Sequence, residues 1–150
     1  MPDTVTVPDL DEVIAAYAVA AANPESHNQA WYARYSSGCG TTLCLAGHIL
    51  DRAGGVPEWD LDDDWATSMS TDYFRMPDGT VGPAFDLARA LIGLEHDDAE
   101  MLFLYAHDLT RVREAILAIA VRRHGPEGRE IARAALDAAD EAAAAIGAKR

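Results

Sequence analysis

Apolar residues recur along this chain at three- and four-residue spacing, in segments that end on glycine or proline. That spacing places one side of a helix against a core. Leu10, Val13, Ile14 and Tyr17 share the first such face, behind a capping pattern of Asp9 and Glu12, and the segment closes at Asn23 and Pro24. Leu43, Ala46, Gly47 and Leu50 form a second face, with Thr41 or Thr42 able to cap the helix and Gly54-Gly55 to stop it. Phe85, Ala88, Leu91 and Ile92 make a third between Pro83 and Gly93. Asp97, Asp98 and Glu100 favour the start of a fourth helix carrying Met101, Leu102 and Tyr105. Asp108 or Thr110 caps a fifth, with Val112, Ile116, Ile119 and Ala120 on one side and Arg122, Arg123 and His124 suited to its C-terminal dipole. Gly125-Pro126 ends it, and a sixth helix over about 127–146 shows a narrow apolar seam of Ile131, Ala135, Ala138, Ala142 and Ile146.

Two stretches break the helical period. Residues 24–40 mix polar side chains with Trp31, Tyr32 and Tyr35, which reads as a loop or short helix anchored by aromatics. Over 56–82 the period fades. Within it, residues 73–81 predict a short β-hairpin, with Pro77 presetting the turn and Gly79 taking positive φ. Trp59, Trp65 and Phe74 are placed to pin this connection to the helices. Strand and helix do not alternate and no repeat occurs. The expectation is a mostly α fold: one domain over 1–150, a bundle of about six helices with one short hairpin at 73–81. Segment 127–146 either packs on the body or extends as a self-associating helix.

A length of 150 residues suits one domain with a core of its own. Of the 49% apolar residues, 29 are alanines, so that core is thin and helical. Twenty-five acidic residues against twelve basic give a formal charge of -13, which opposes phosphate backbones and anionic membranes. Neither direct nucleic-acid binding nor a membrane partner is expected. Residues 1–110 hold 19 acidic and 4 basic groups, whereas 111–150 hold 6 and 8, so the front of the chain carries the field. The first residues show no secretory pattern, and no apolar run reaches the eighteen or so of a membrane span. A cytoplasmic chain is therefore expected, with Cys39 and Cys44 as reduced thiols.

Residues 38–48 concentrate the special residue types. Cys39, Gly40, Thr41, Cys44, Ala46 and Gly47 spell Cys-Gly-Thr-x-x-Cys-x-Ala-Gly, with Trp31 upstream and Leu91, Gly93, Leu94 and Phe103 as a looser second block. This pattern resembles uncharacterised small proteins of actinobacteria and their phages. The resemblance implies an accessory protein of a phage or mobile element, and implies no activity. Such relatives often carry tryptophan after Ala-Gly; His48 stands there in this chain and takes no role from them.

Three readings of this segment compete. Cys39, Cys44 and His48 could ligate a metal, since Cys44 and His48 lie four apart on a helix face and His27 could complete a tetrahedral set. That spacing departs from the tight ligand pairs of structural zinc sites. Alternatively, Cys44 is a thiolate nucleophile in a first helical turn, with His48, His27 or His107 as base, though no triad signature is present. The favoured reading is structural: the cysteines pack as small apolar groups, Gly40 turns the chain, Thr41 caps, and Gly47 lets another helix approach.

Asp60, Asp62, Asp63 and Asp64 form an acidic cluster that lacks the glycine and distal glutamate of a calcium loop. A solvated acidic loop is the simpler account. If the cluster acts, it acts on a basic protein surface, with Trp59 and Trp65 as flanking anchors. Arg111, Arg113, Arg122, Arg123, Arg129 and Arg133 are interspersed with Glu114, Glu127 and Glu130, which reads as an ion-paired surface rather than an anion strip. No Walker, dinucleotide or zincin motif occurs. The chain is thus expected to be a non-enzymatic acidic protein-binding module, with no catalytic residue and no cofactor. The alternatives are a metal-binding or cysteine-dependent enzyme at Cys39, Cys44 and His48, a self-associating homodimer, or a nucleic-acid mimic.

Overall fold

A computed structural model of the chain describes residues 10–23, 33–36, 40–58, 68–71, 73–106 and 108–148. In chain order the elements are α1 (Asp11–Ala22), β1 (Ala33–Ser36), β2 (Gly40–Leu43), α2 (Leu45–Arg52), β3 (Val56–Pro57) and β4 (Ser68–Thr71). There follow β5 (Tyr73–Arg75), β6 (Val81–Pro83), α3 (Ala84–Ile92), α4 (His96–Glu100), a π-helical turn at Met101–Tyr105, and α5 (Leu109–Ala148).

The fold is mostly helical, but the described residues form five α-helices rather than six. The expected fifth and sixth are joined in α5, which turns back on itself at Gly125 (φ 73°, ψ -173°), a backbone region open almost only to glycine. Ion pairs from Arg113 to Asp137 and Asp140 fix the two arms, 109–124 and 126–148, as antiparallel neighbours. The second arm therefore packs on the body, through Gly128, Ala132 and Leu136. This corrects the expected seam: Ile131 and Ala135 are half-buried, and Ala138, Ala142 and Ile146 are exposed. Burying Leu136 is worth about 2 kcal/mol, more than any alanine on the arm contributes, so the helix rotates to bring it inward. A side chain at Gly128 would overlap His124 Cβ and come within 3.2 Å of the Ala120 carbonyl, so the close approach of the arms at their turn needs glycine.

The remaining helices follow their patterns more closely. Val13, Ala16, Tyr17 and Ala20 are buried on α1, with Ile14 packed at the edge of the core. Ala84, Ala88 and Ile92 are the buried face of α3, which ends where Gly93 takes φ 78° and returns its N–H to the Arg89 carbonyl. Leu91, expected on that face, is exposed. The second helix starts later than expected, because Thr41 and Thr42 belong to β2 and Cys44 stands at the N-cap. The core joins α1 and α2 to α5, with Phe74 entering from β5 and Leu102 and Phe103 from the π-turn.

Among the described residues, two three-stranded antiparallel sheets complete the fold, where a single hairpin was expected. The first has order β2-β1-β4, with Ala33 opposite both Leu43 and Thr71, so residues 33–36 are a strand and not a loop or helix. The second has order β3-β5-β6, with Phe74 opposite Pro57 and Gly82. Its β5–β6 hairpin is the predicted one, paired as far as Tyr73 and Pro83. Gly79 donates to the Met76 carbonyl at 2.9 Å with φ 91°, and Met76 donates to the Thr80 carbonyl at 2.8 Å, the geometry of a Pro-initiated turn closed by glycine. No described helix is long and apolar enough to cross a membrane.

Candidate functional site

Of the candidate ligands Cys39, Cys44, His48 and His27, Cys44 and His48 are the two whose side chains are described. Cys44 is extended (φ -80°, ψ -178°) and its carbonyl accepts the His48 N–H at 2.9 Å, so both side chains are set by the first turn of α2. They are 1% and 3% exposed and lie beside Leu45, Ala46, Ile49 and Leu50 in the core. A thiol so enclosed packs as a small apolar group and meets no solvent-borne substrate. Cys39, His27 and His107 lie outside the described residues. Among the described residues no group of three or more histidine, cysteine, aspartate or glutamate side chains is placed to hold a metal ion.

Trp59, Asp60, Asp62, Asp63, Asp64 and Trp65 also lie outside the described residues. Their attachment points are defined. The Glu58 N–H donates to the Tyr73 carbonyl at 2.8 Å, extending the second sheet by one residue, and Ser68 opens β4 in the first. Glu58 accepts two hydrogen bonds from Arg75, at 3.0 and 2.8 Å, and this pairing holds its carboxyl below the usual range.

Among the described residues, charged side chains pair between distant elements at two places that sequence reasoning missed, one of them around a buried carboxylate. Asp98 of α4 is 1% exposed and is paired with Arg122, near the end of the first arm of α5. Next to it in sequence, Arg123 reaches the Gly93 carbonyl at 3.4 Å. The signal was available: Asp98 falls four residues after Leu94 and four before Leu102, on the apolar stripe itself. At the second place Arg113 donates to Asp137 at 2.5 Å and Asp140 at 3.0 Å, and Tyr17 of α1 donates to Asp140 at 2.6 Å. Burial, then the Asp140 hydrogen bond, pushes the Tyr17 hydroxyl up to about 12. It stays a protonated donor throughout the physiological range and ties α1 to both arms of α5.

Other ion pairs lie on the surface. Arg52 pairs with Glu12, Arg75 with Glu58, Arg111 with Asp108, and Arg133 with Glu130. By contrast Asp11, Asp51, Asp86, Glu95 and Asp97, on α1 to α4 and their caps, are exposed. A shallow cavity of about 220 Å³ opens between the acidic first turn of α1, at Asp11 and Glu12, and Leu91 and Ile92 of α3. Another of about 290 Å³ lies between the π-turn, at Met101 and Tyr105, and Ala115 and Ala118 of α5. Both are open and shallow, suited to a side chain of a partner rather than to an enclosed small molecule. No family model, curated protein or solved structure matches this chain.

Proposed function

We propose that this chain is a non-enzymatic acidic protein-binding module that meets a basic surface on another protein, in the setting of a phage or mobile element acting on a host protein. The observation that carries the reading is the asymmetry of charge. Arg113 and Arg122 are drawn into pairs that hold the helices together, while Asp11, Asp51, Asp86, Glu95 and Asp97 face water on the other side of the chain's charge division. A field of that sign speeds encounter with basic partners and suppresses acidic ones. Enclosure of Cys44 and His48 in the core supports the structural account of that segment over a reactive one.

The test is capture of protein from host lysate by the immobilised chain and by a variant carrying Asp62→Asn, Asp63→Asn and Asp64→Asn. Loss of a basic partner in the variant supports the reading. Undiminished capture removes the acidic segment from it. Competition for the captured protein by duplex DNA separates imitation of a phosphate backbone from ordinary protein recognition.

A further inference from the structure

We propose that the outward face of the β3-β5-β6 sheet is the docking surface for a basic, extended segment of the partner protein, an inference that rests on the protein-binding reading above. Alternation along β5 sends Phe74 fully into the core and turns Tyr73 and Arg75 outward. The register then sets Val56, Arg75 and Val81 in one row across three strands, with Tyr73 beside Pro83 in the next. Val56, Tyr73 and Val81 are 53%, 51% and 45% exposed. They are three of the eight large apolar side chains exposed among the described residues, and they sit on one face of one small sheet. The solvent side of an antiparallel sheet is ordinarily polar, and apolar side chains gathered there mark an interaction surface.

Charge selects the occupant. Arg75, the basic side chain at the centre of the row, is held bidentately by Glu58, so the row carries no net charge: a neutral ion pair flanked by Val56 and Val81. Among the described residues, exposed acidic side chains stand on the segments that adjoin this sheet: Asp78 in the β5–β6 turn, Asp86 in the first turn of α3, and Asp51 near the end of α2, after which Gly54 abuts Pro77 of that turn. Arg52, beside Asp51 in sequence, is turned to Glu12. An acidic margin on a chain of charge -13 repels a second copy and attracts lysine- or arginine-bearing chain. Apolar side chains of the occupant would cover Val56, Tyr73 and Val81, and its cations would meet Asp78 and Asp86.

The experiment measures binding of short synthetic peptides at physiological salt, with helicity and melting checked for every variant. One peptide alternates lysine with valine, a second lysine with serine, and a third glutamate with valine. The lysine–valine peptide is expected to bind the wild-type chain at least tenfold more tightly than either of the others. Val56→Ser with Val81→Ser is expected to remove that advantage, as is Val81→Lys, which sets a like charge against the occupant. Ile146→Ser, at an exposed apolar residue on the far arm of α5, should leave it intact. Equal binding by wild type and the Val56/Val81 variants overturns the proposal, as does equal binding of the glutamate peptide. A dimer in sedimentation that the Val81→Lys variant dissolves overturns it as well, because the occupant is then a second copy. The two readings fail separately. If lysate capture is lost on changing Asp62, Asp63 and Asp64 while the Val56/Val81 variants bind normally, the module stands and this surface falls. If the lysine–valine peptide depends on Val56 and Val81 while lysate capture survives the Asp changes, the surface stands and the acidic segment falls.

Discussion

Arg113 and Asp137, 24 positions apart within one helical element, meet in a 2.5 Å ion pair. In an unbroken helix the same two residues would stand about 36 Å apart. The whole reversal is made at Gly125, whose φ of 73° and ψ of -173° a Cβ disfavours even though the space around it is open. Gly125→Ala is therefore expected to destabilise the fold by about 1–3 kcal/mol, read as a lowered urea midpoint. Gly147→Ala, also in open space but on the far end of the arm, should be neutral or slightly stabilising. Equal midpoints for the two variants would show that the reversal does not depend on this backbone conformation.

Asp98 and Arg122 form a pair whose members differ in exposure: the carboxylate is enclosed and the guanidinium side chain is about half exposed. Removing the arginine strands a buried charge, while removing the aspartate leaves a cation that can turn to water. Arg122→Ala is expected to cost about 3–5 kcal/mol. Asp98→Ala should cost less, and the double variant should be no less stable than Arg122→Ala alone. Chemical denaturation of the three variants measures the order, and costs below about 1 kcal/mol for all of them would place the pair in solvent.

The parts of the fold set by neighbours in sequence were legible. Gly93 as the stop of α3, Pro77 and Gly79 as the hairpin turn, and the Val112–Ile116–Ile119 face need only local geometry. Errors arose where a distant partner decides. Thr41 and Thr42 suit a helix cap, yet they pair with β1, and β1 is completed by β4 some 30 residues later. The seam expected for the last helix runs mainly through alanines, whose burial energies are too small to fix a rotation that Leu136 decides. The candidate surface shows the same division. The hairpin and the inward role of Phe74 were legible, and strand alternation then leaves Tyr73 and Arg75 on the other face, but Val56 joins them only through the register of β3, a two-residue strand with no periodicity to announce it. Cys44 and His48 were placed together on one helix by spacing alone, and their depth in the core is a property of α1 and α5 packed around them.

The enclosure of Cys44 makes its chemistry a probe of the fold. With Cys39→Ser, Cys44 is the single thiol. Its alkylation by iodoacetamide near neutral pH is expected to run at least about a hundredfold slower than in an unfolded peptide, because the reagent reaches it only through opening of the structure. The rate should climb with denaturant in parallel with loss of helicity. Rapid labelling in the folded state would mean an accessible thiol and would reopen the nucleophilic reading of this segment.

Alkaline stability reports on the Tyr17–Asp140 contact. The folded hydroxyl titrates at about 12, whereas in the unfolded chain it returns to the ordinary tyrosine value near 10. Between these values the unfolded state has lost a proton that the folded state retains, so stability must fall as pH rises through this window. Below pH 10 the contribution is fully present, and above 12 it is gone. Its size is about 3 kcal/mol. Tyr17→Phe removes the ionisable group while keeping the buried ring, and is expected to flatten this part of the curve relative to wild type, with a modest loss of stability at neutral pH from the missing hydrogen bond. Urea midpoints compared across pH 9 to 12 measure the difference. Parallel curves for the two proteins would mean that Tyr17 ionises as freely in the folded chain as in the unfolded one, and the link from α1 to the second arm of α5 would then lie elsewhere.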